Sequence, residues 1–428
     1  MIKLSLENIR IVSLGIAWAV PRAVTILADL GAEVIKVESI QFMDVGRGKA
    51  KTGMAVGAYP DNNPGDRPYN RRGLIHHTNR NNLGITLDLT RPVGREIFKK
   101  LVKISDIVTS GFPPSTMEKL GVNYTILKEV KSDIIMLSMP AYGATGPESN
   151  YTAWGASQEQ MAGMTELTGY IGENEMPMKS GIDYGDPTAG AMAAGFLLAA
   201  LYYRLQTGKG QLIDISQCEV TSMLIGEIIM DYTMNQRLWK RMGNRDPIIA
   251  PQGCYRCAGE DKWVVISVYS DEQWQAFCQA IGDPPWTKQE KFSDILSRWQ
   301  NHDDLDRLIG KWTMEHSHYE VMEMMQKADV PAGAVLNPQE RRENLHLHER
   351  GFFLQGTHPE VGTHFYQGPP MKLSKSPITI RRLGPALGEH NEYVLRDLLG
   401  FSREEIAKLE RDQIIGNQPL PGADRGAG

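Results

Sequence analysis

One carboxylate dominates the chemistry this chain could do. Asp186 stands directly before Pro187 in the run GIDYGDPTAGAMAAGFLLAALYYRLQTGKGQ, ahead of a long stretch of small and apolar residues. Asp followed by Pro at the head of such a stretch marks a helix start, with Asp186 as N-cap and Pro187 at the first helical position. Gly190 and Ala194 would let this helix approach another backbone closely, and Gly208 would close it. The same geometry has two uses. As a cap, Asp186 merely satisfies unpaired N–H groups. As a reagent, it would be kept ionised by those groups and by the positive end of the helix dipole. It could then attack an acyl carbon, with nearby N–H groups stabilising the oxygen on which charge develops. Pattern alone leaves both open.

Other reactive groupings are thinner. Cys254 and Cys257 form a C-x2-C, but no second pair follows at zinc-ribbon spacing. The segment GCYRCAG reads as a strand, which would turn the two side chains to opposite faces. The ten histidines include no H-E-x-x-H, and no metal or redox cofactor is expected. Arg71, Arg72, His76, His77 and Arg80 cluster at the end of a Gly-, Pro- and Asn-rich loop over 46–73. They face either a bound anion or solvent.

The elements that must position Asp186 alternate strand and helix. Residues 9–14, 32–38, 85–89, 107–109 and 134–139 are apolar runs of strand length. Helical spacing lies between them over 21–30 and 92–106. Such alternation implies a parallel sheet with helices on both faces, a Rossmann-like α/β fold. Strands near 211–216 and 263–268 and helices near 217–240, 272–281 and 303–327 complete the pattern.

The bulk properties narrow the function. A length of 428 residues implies two domains. A net charge of −5 gives no electrostatic reason to expect nucleic acid or an anionic membrane as partner. The opening MIKLSLENIRIV shows no signal-peptide pattern, and four cysteines make no disulfide framework, so a cytoplasmic location is expected. Residues 187–203 carry no charge but fall short of the roughly 20 a bilayer needs, which predicts a buried helix.

Taken together, several segments resemble the family III CoA-transferases, the group that includes formyl-CoA transferase and carnitine CoA-transferase. The opening NIRIVSLG and ILADLGAEVIKVES are similar to that family's first strand, helix and strand. NRNNLGITLDLTRPVGREIFKKLVKISDIV, FPPSTMEKLGVNYTIL, MPAYGATGPESNY and MAGMTELTGY continue the match in order. SGIDYGDPTAG with LYYRLQTGKGQLIDISQ resembles the block that carries the family's nucleophile, and VPAGAVL, GPPMKLS and LGEHNEYVL follow.

The resemblance implies that Asp186 is the nucleophile, passing through aspartyl anhydride and aspartyl-CoA thioester intermediates. It places coenzyme A, a substrate here, at Ile16, Ala17, Trp18, Leu87, Thr90, Gly111, Phe112 and Lys119. It implies a large CoA-binding domain built from 1–224 and a C-terminal return over 331–428, a small α+β domain over 225–330, and an interlocked dimer. A homodimer and a heteromer with a homologous subunit, as in succinyl-CoA:benzylsuccinate CoA-transferase, are both compatible with it. By analogy the donor is succinyl-CoA and the acceptor a bulky, aromatic acid. Departures concern the acyl pocket: Trp18 stands where many members have glutamine, Ser39 where arginine is common, and Trp154-Gly155 where a Tyr is followed by an acid. An α-methylacyl-CoA racemase is disfavoured, because neither Trp154 nor Gly155 can supply its second acid/base group. An NAD enzyme is disfavoured because the first loop, GIAWAVP, has one glycine where the dinucleotide fingerprint wants three.

Overall fold

The computed structural model describes residues 4–48, 59–172 and 175–423. The loop expected over 46–73 therefore lies partly outside the described residues. What is described of it consists of short turns at Val45–Arg47, Pro60–Asn62 and Pro68–Asn70.

The chain divides into two compact units. The first comprises Met1–Thr165, Lys179–Arg237 and His348–Gly428. Its centre is a six-stranded sheet with every pairing parallel. In chain order its elements are β1 (Arg10–Ser13), α1 (Ala19–Asp29), β2 (Glu33–Glu38), β3 (Asn82–Thr86), α2 (Pro92–Lys103), β4 (Ile107–Ser110), β5 (Ile135–Ser138), α3 (Gly155–Met161), α4 (Gly185–Thr207), β6 (Leu212–Asp214) and α5 (Gln217–Met223). The strands lie in the order β3-β2-β1-β4-β5-β6. Strands such as IVTS and IMLS are buried along their whole length, as expected where helices cover both faces of a parallel sheet. One face packs on α2 and the C-terminal segment through Ile97, Phe98, Leu101, Val394 and Ile415. The other packs on α1 and α4 through Ala23, Leu27, Ala193 and Leu197.

The strand order matters for function. The chain leaves β1 toward β2 and leaves β4 toward β5, in opposite directions along the sheet, and at such a reversal the loops at the C-terminal strand ends open a crevice for ligands.

Three expectations about elements are corrected. The third strand runs from Asn82 to Thr86, three residues earlier than 85–89, because its ladder with β2 ends there, with the Leu87 N–H to Glu38 O bond at 2.7 Å as its last rung. Helix α4 is buried on one face only. Ala189, Ala193, Leu197 and Ala200 are covered, but Phe196, Tyr202 and Leu205 are 52%, 66% and 79% exposed. By length and composition α4 could cross a membrane, yet its buried stripe packs on α1, where a Cβ at Gly190 would lie 2.5 Å from Ala19 O. Finally, the basic cluster faces neither a ligand nor solvent as a group. Arg80 is buried on Asp29 at 2.6 Å, and His76 is wedged between Asn70 O and Gly384 O. Burial holds both His76 and His77 down at about 4. Arg71 donates to Glu360 O, so these side chains staple the chain's two ends together.

The second unit comprises Glu166–Met178 and Leu238–Leu347. Strands β7 (Gln252–Arg256), β8 (Trp263–Ser267) and β9 (Ala332–Ala334) form an antiparallel sheet, with α6 (Asp271–Ala280), α7 (His302–Thr313) and α8 (His318–Lys327) around it. Its core gathers Val264, Ile266, Phe277, Phe292, Leu305 and Val321. The expected bounds of 225–330 shift for identifiable reasons. Strand β9 pairs with β8, and Lys262 binds Glu340 at 2.6 Å, which keeps 331–347 in this unit. Arg241 binds Glu166 at 2.9 Å and recruits the short 166–178 segment. Residues 225–237 stay with the first unit.

The C-terminal return covers the free edge of β3. Asn81 N–H bonds Arg382 O at 3.0 Å, and His390 N–H bonds Gly84 O at 2.8 Å. An edge strand so covered cannot pair with another chain. A hairpin, β10 (Phe353–His358) with β11 (Gly362–Gln367), precedes it.

Candidate active site

The loop after β1 is fixed by an ion pair beneath it. Lys36, on β2, donates to Gly15 O at 2.7 Å and to Asp44 Oδ2 at 2.6 Å. Asp44 Oδ1 in turn accepts the N–H groups of Ala17 at 2.8 Å and Gly46 at 2.7 Å. Both charged side chains are buried. Their grip holds Ala17 at φ +59°, a left-handed conformation that a residue with a Cβ adopts only when its surroundings impose it.

This loop, the loop after β4 and the start of α4 enclose a cavity of about 340 Å³. Asp186 lines it together with Ile16, Ala17, Gly111, Phe112 and Trp154. A second cavity, of about 350 Å³, adjoins it and is lined by Leu87, Thr90, Ser39 and Leu120. Ile16, Phe42, Phe112 and Thr116 line both. Six of the eight positions expected to touch coenzyme A thus border this double cavity. Trp18 and Lys119 do not. Trp18 is the residue before α1, and its indole N–H is buried without a hydrogen-bond partner among the described residues. Lys119 is exposed at the end of the helix Pro114–Lys119, one turn beyond Thr116.

Asp186 itself sits differently from the sequence expectation. Helix α4 begins at Gly185, with Tyr184 as N-cap, so Asp186 is the second helical residue and makes no side-chain cap. The first intrahelical bond runs from Thr188 N–H to Tyr184 O at 3.2 Å. With the N-cap role unfilled by its own helix, the turn is held from outside. Glu159, on α3, accepts the Tyr184 N–H, an orphan donor that the helix cannot satisfy. The Ser180 hydroxyl, shared with Ile182 O, lies 3.1 and 3.0 Å from the two Glu159 oxygens. Glu159 is 1% exposed and forms no ion pair among the described residues.

A third acid completes the group. Asp183 pairs with Lys179 at 2.8 Å. Its side chain lies over Gly155, where a Cβ would stand 2.4 Å from Asp183 Cβ. Asp183 therefore fills the space a side chain at 155 would need. At Gly185 a Cβ would meet Thr221 Oγ1 at 2.7 Å and Gln158 Oε1 at 3.2 Å, so α3, α4 and α5 converge on backbone beside Asp186.

The electrostatic consequence overturns the expectation that the helix start keeps Asp186 ionised. Asp186 is 9% exposed. Burial first, then the negative charges of Asp183 and Glu159, push its carboxyl up to about 7. Desolvation and like charges outweigh the half-charge of a helix terminus, whose effect is typically about 1 kcal/mol or less. Near neutrality the group is divided between a carboxylic acid and a carboxylate of raised basicity. A carboxylate of that kind is a stronger nucleophile than a solvated one, and perturbed acids in clefts are a mark of functional sites.

Sequence reasoning missed Glu159, Gln158, Gln217, Phe42 and Tyr151 around this cavity. Asp183 had a signal in its position three residues before Asp186 across a helix start. Glu159 had none, since its partner lies 25 residues away.

Comparison with known proteins gives a consistent result. A family model described as CoA-transferase family III matches residues 6–391. Succinyl-CoA–D-citramalate CoA-transferase of Chloroflexus aurantiacus is 31% identical, covering 96% of this chain and 98% of its own. The succinyl-CoA–L-malate CoA-transferase alpha subunit of the same organism is 29% identical, covering 96% and 93%. Among solved structures, a CAIB/BAIF family protein from Brucella suis superposes with a TM-score of 0.80 at 26% identity, covering 92% of this chain and 99% of that one.

Proposed function

The chain belongs to CoA-transferase family III, and from that premise we propose that it moves coenzyme A from an acyl-CoA donor to an acceptor carboxylic acid through covalent intermediates on Asp186. The observation that carries the reading is the position of Asp186: a buried carboxyl on the wall of a double cavity at the sheet's switch point. The adenine end of coenzyme A takes the second cavity, beside Leu87, Thr90 and Leu120. The pantetheine arm passes the neck of Ile16, Phe42 and Phe112 toward Asp186. Lys119, one turn beyond Thr116, reaches for phosphate from outside the cavity, and Trp18 supports the first loop.

The chemistry balances without a cofactor. An Asp186 oxygen attacks the thioester carbon, the C–S bond breaks, and coenzyme A leaves as thiolate, giving a mixed anhydride. The thiolate attacks the Asp186 carbonyl carbon and expels the donor acid as carboxylate, leaving aspartyl-CoA thioester. The acceptor carboxylate attacks that same carbon and releases thiolate again. The thiolate then attacks the acceptor's acyl carbon, forming the new thioester and restoring Asp186. No proton is gained or lost over the cycle, so the requirement is only that Asp186 enter it ionised.

The names of the relatives support succinyl-CoA as donor. The lining of Phe42, Phe112, Tyr151 and Trp154 favours an acceptor with an aromatic body. The exposed stripe of Phe196, Tyr202 and Leu205 on α4 supports an interlocked pair of chains, either two copies or this chain with a homologue. A relative named as an alpha subunit is a precedent for the second arrangement. The cytoplasm is the proposed location.

The test is a mass-spectrometric screen of acyl-CoA donors against carboxylic acids, run with the purified chain alone and with Asp186→Ala. Exchange by the parent and none by the variant is expected. Exchange that survives in the variant would refute the assignment. Deuterium incorporation next to the thioester, without exchange of acids, would point instead to the racemase alternative.

A further inference from the structure

A nucleophile on the first turn of a helix is only as well aimed as that turn. In α4 the turn lacks the usual means of support, because Tyr184 offers no capping side chain. The fixed point comes from a different helix, in the bond from Tyr184 N–H to Glu159. The Ser180 hydroxyl approaches the same carboxylate, so Glu159 clasps the segment 180–184 at both ends.

We propose that Glu159 is a positioning residue of this site: its carboxylate, buried on α3, fixes the turn from which α4 presents Asp186 to the cavity. The proposal rests on Asp186 being the acylated residue, and it adds what holds that residue in place. A buried carboxylate with no cation of its own is costly to keep. A neutral glutamine could accept the same Tyr184 N–H without that cost, so the charge needs a reason beyond the hydrogen bond.

The reason lies in the second effect of the same group. The charged residues around Asp186 are Glu159 on α3 and, on the segment before α4, Asp183 with its partner Lys179. On α5 the cavity is met by Gln217, which is neutral. Glu159 and Asp183 both oppose ionisation of Asp186 and raise its basicity. Lys179 offsets Asp183 by direct pairing, while it reaches Glu159 only through space, without a contact. Glu159 thus aims the nucleophile and strengthens it.

Two substitutions separate these roles in the full-length protein. Glu159→Gln keeps an acceptor for Tyr184 N–H and removes the charge. Its kcat at high pH should fall a few-fold, as for a less basic nucleophile, and the acid limb of its kcat/KM profile, expected near 7 in the parent, should move to lower pH. Glu159→Ala removes both, and kcat should fall about 10–100-fold with the KM for acyl-CoA nearly unchanged, since positioning errors of this kind act on the chemical step. Trapping the acyl group with hydroxylamine on the parent runs in parallel. Label on Asp186 together with an unimpaired Glu159→Ala overturns the positioning role alone, whereas label elsewhere overturns the nucleophile assignment. A Glu159→Gln variant as damaged as Glu159→Ala, or one with an unmoved profile, also overturns the proposal. If the alanine variant fails to fold, the glutamine profile decides.

Discussion

Two of the buried charge clusters in the first unit are built on opposite plans. At the end of β2, Arg47 grips Glu38 through two bonds of 2.7 and 2.6 Å and spends its remaining donors on Pro385 O, Tyr69 O and Asn70. Burial pushes the Glu38 carboxyl up, but Arg47 and Lys36 overcome it and hold the group below the usual carboxylate range. At the start of α4, Asp186, Asp183 and Glu159 stand together with one partly exposed lysine among them, and Asp186 is driven up to about 7. The first arrangement is satisfied and holds backbone together. The second stores unfavourable charge beside an open cavity, which stability alone would not favour.

That contrast can be broken most severely at Asp186. Replacing it with alanine should lower turnover on the order of 10⁴-fold or more, as for other residues that carry a covalent step, with the fold intact by circular dichroism. A loss of tenfold or less in steady-state exchange would place the reaction elsewhere.

The matching blow to the paired region should fall on stability instead. Arg47→Met leaves Glu38 buried without its partner and should cost about 3–5 kcal/mol in urea unfolding. If the cost stays below about 1 kcal/mol, Glu38 has another source of compensation.

Sign distinguishes the two regions further. An acid whose folded value lies near 7 and whose unfolded value is the ordinary one binds more protons when folded. Its contribution favours the fold at low pH, is lost as pH rises toward about 7, and leaves a constant penalty above that. Asp186→Asn should therefore stabilise the protein at pH 8 by roughly 2–4 kcal/mol and change little at pH 4. Equal effects at both pH values would contradict the raised carboxyl.

The smallest effect is expected at the pocket wall. Trp154→Ala should raise the KM for an aromatic acceptor about tenfold, or roughly 1.4 kcal/mol, with kcat held. An unchanged KM would remove Trp154 from acceptor recognition.

How much of this was legible in the sequence differs between the two regions as well. The parallel sheet and its helices follow from apolar runs and helix spacing, because strands buried on both faces must be apolar throughout; the loops that line the cavity came from the family resemblance. Asp186 was visible from its place before Pro187 and from the family resemblance. The partners that tune it were not. Glu159 acts through a bond across 25 residues, and Asp183 matters because Gly155 makes room for it. Neither relation leaves a periodic trace. The cap assignment failed for a local reason: the helix starts one residue before Asp186, which brings Pro187 to its third position. The basic cluster was misread because charge runs do not reveal that Arg80 meets Asp29 from a distant helix.

The most direct measurement incubates the protein with an acyl-CoA donor and hydroxylamine, then maps modified peptides by mass spectrometry. A single hydroxamate at Asp186, absent without acyl-CoA, is the predicted result. Steady turnover with no modification at Asp186, or with the label on another side chain, would contradict it.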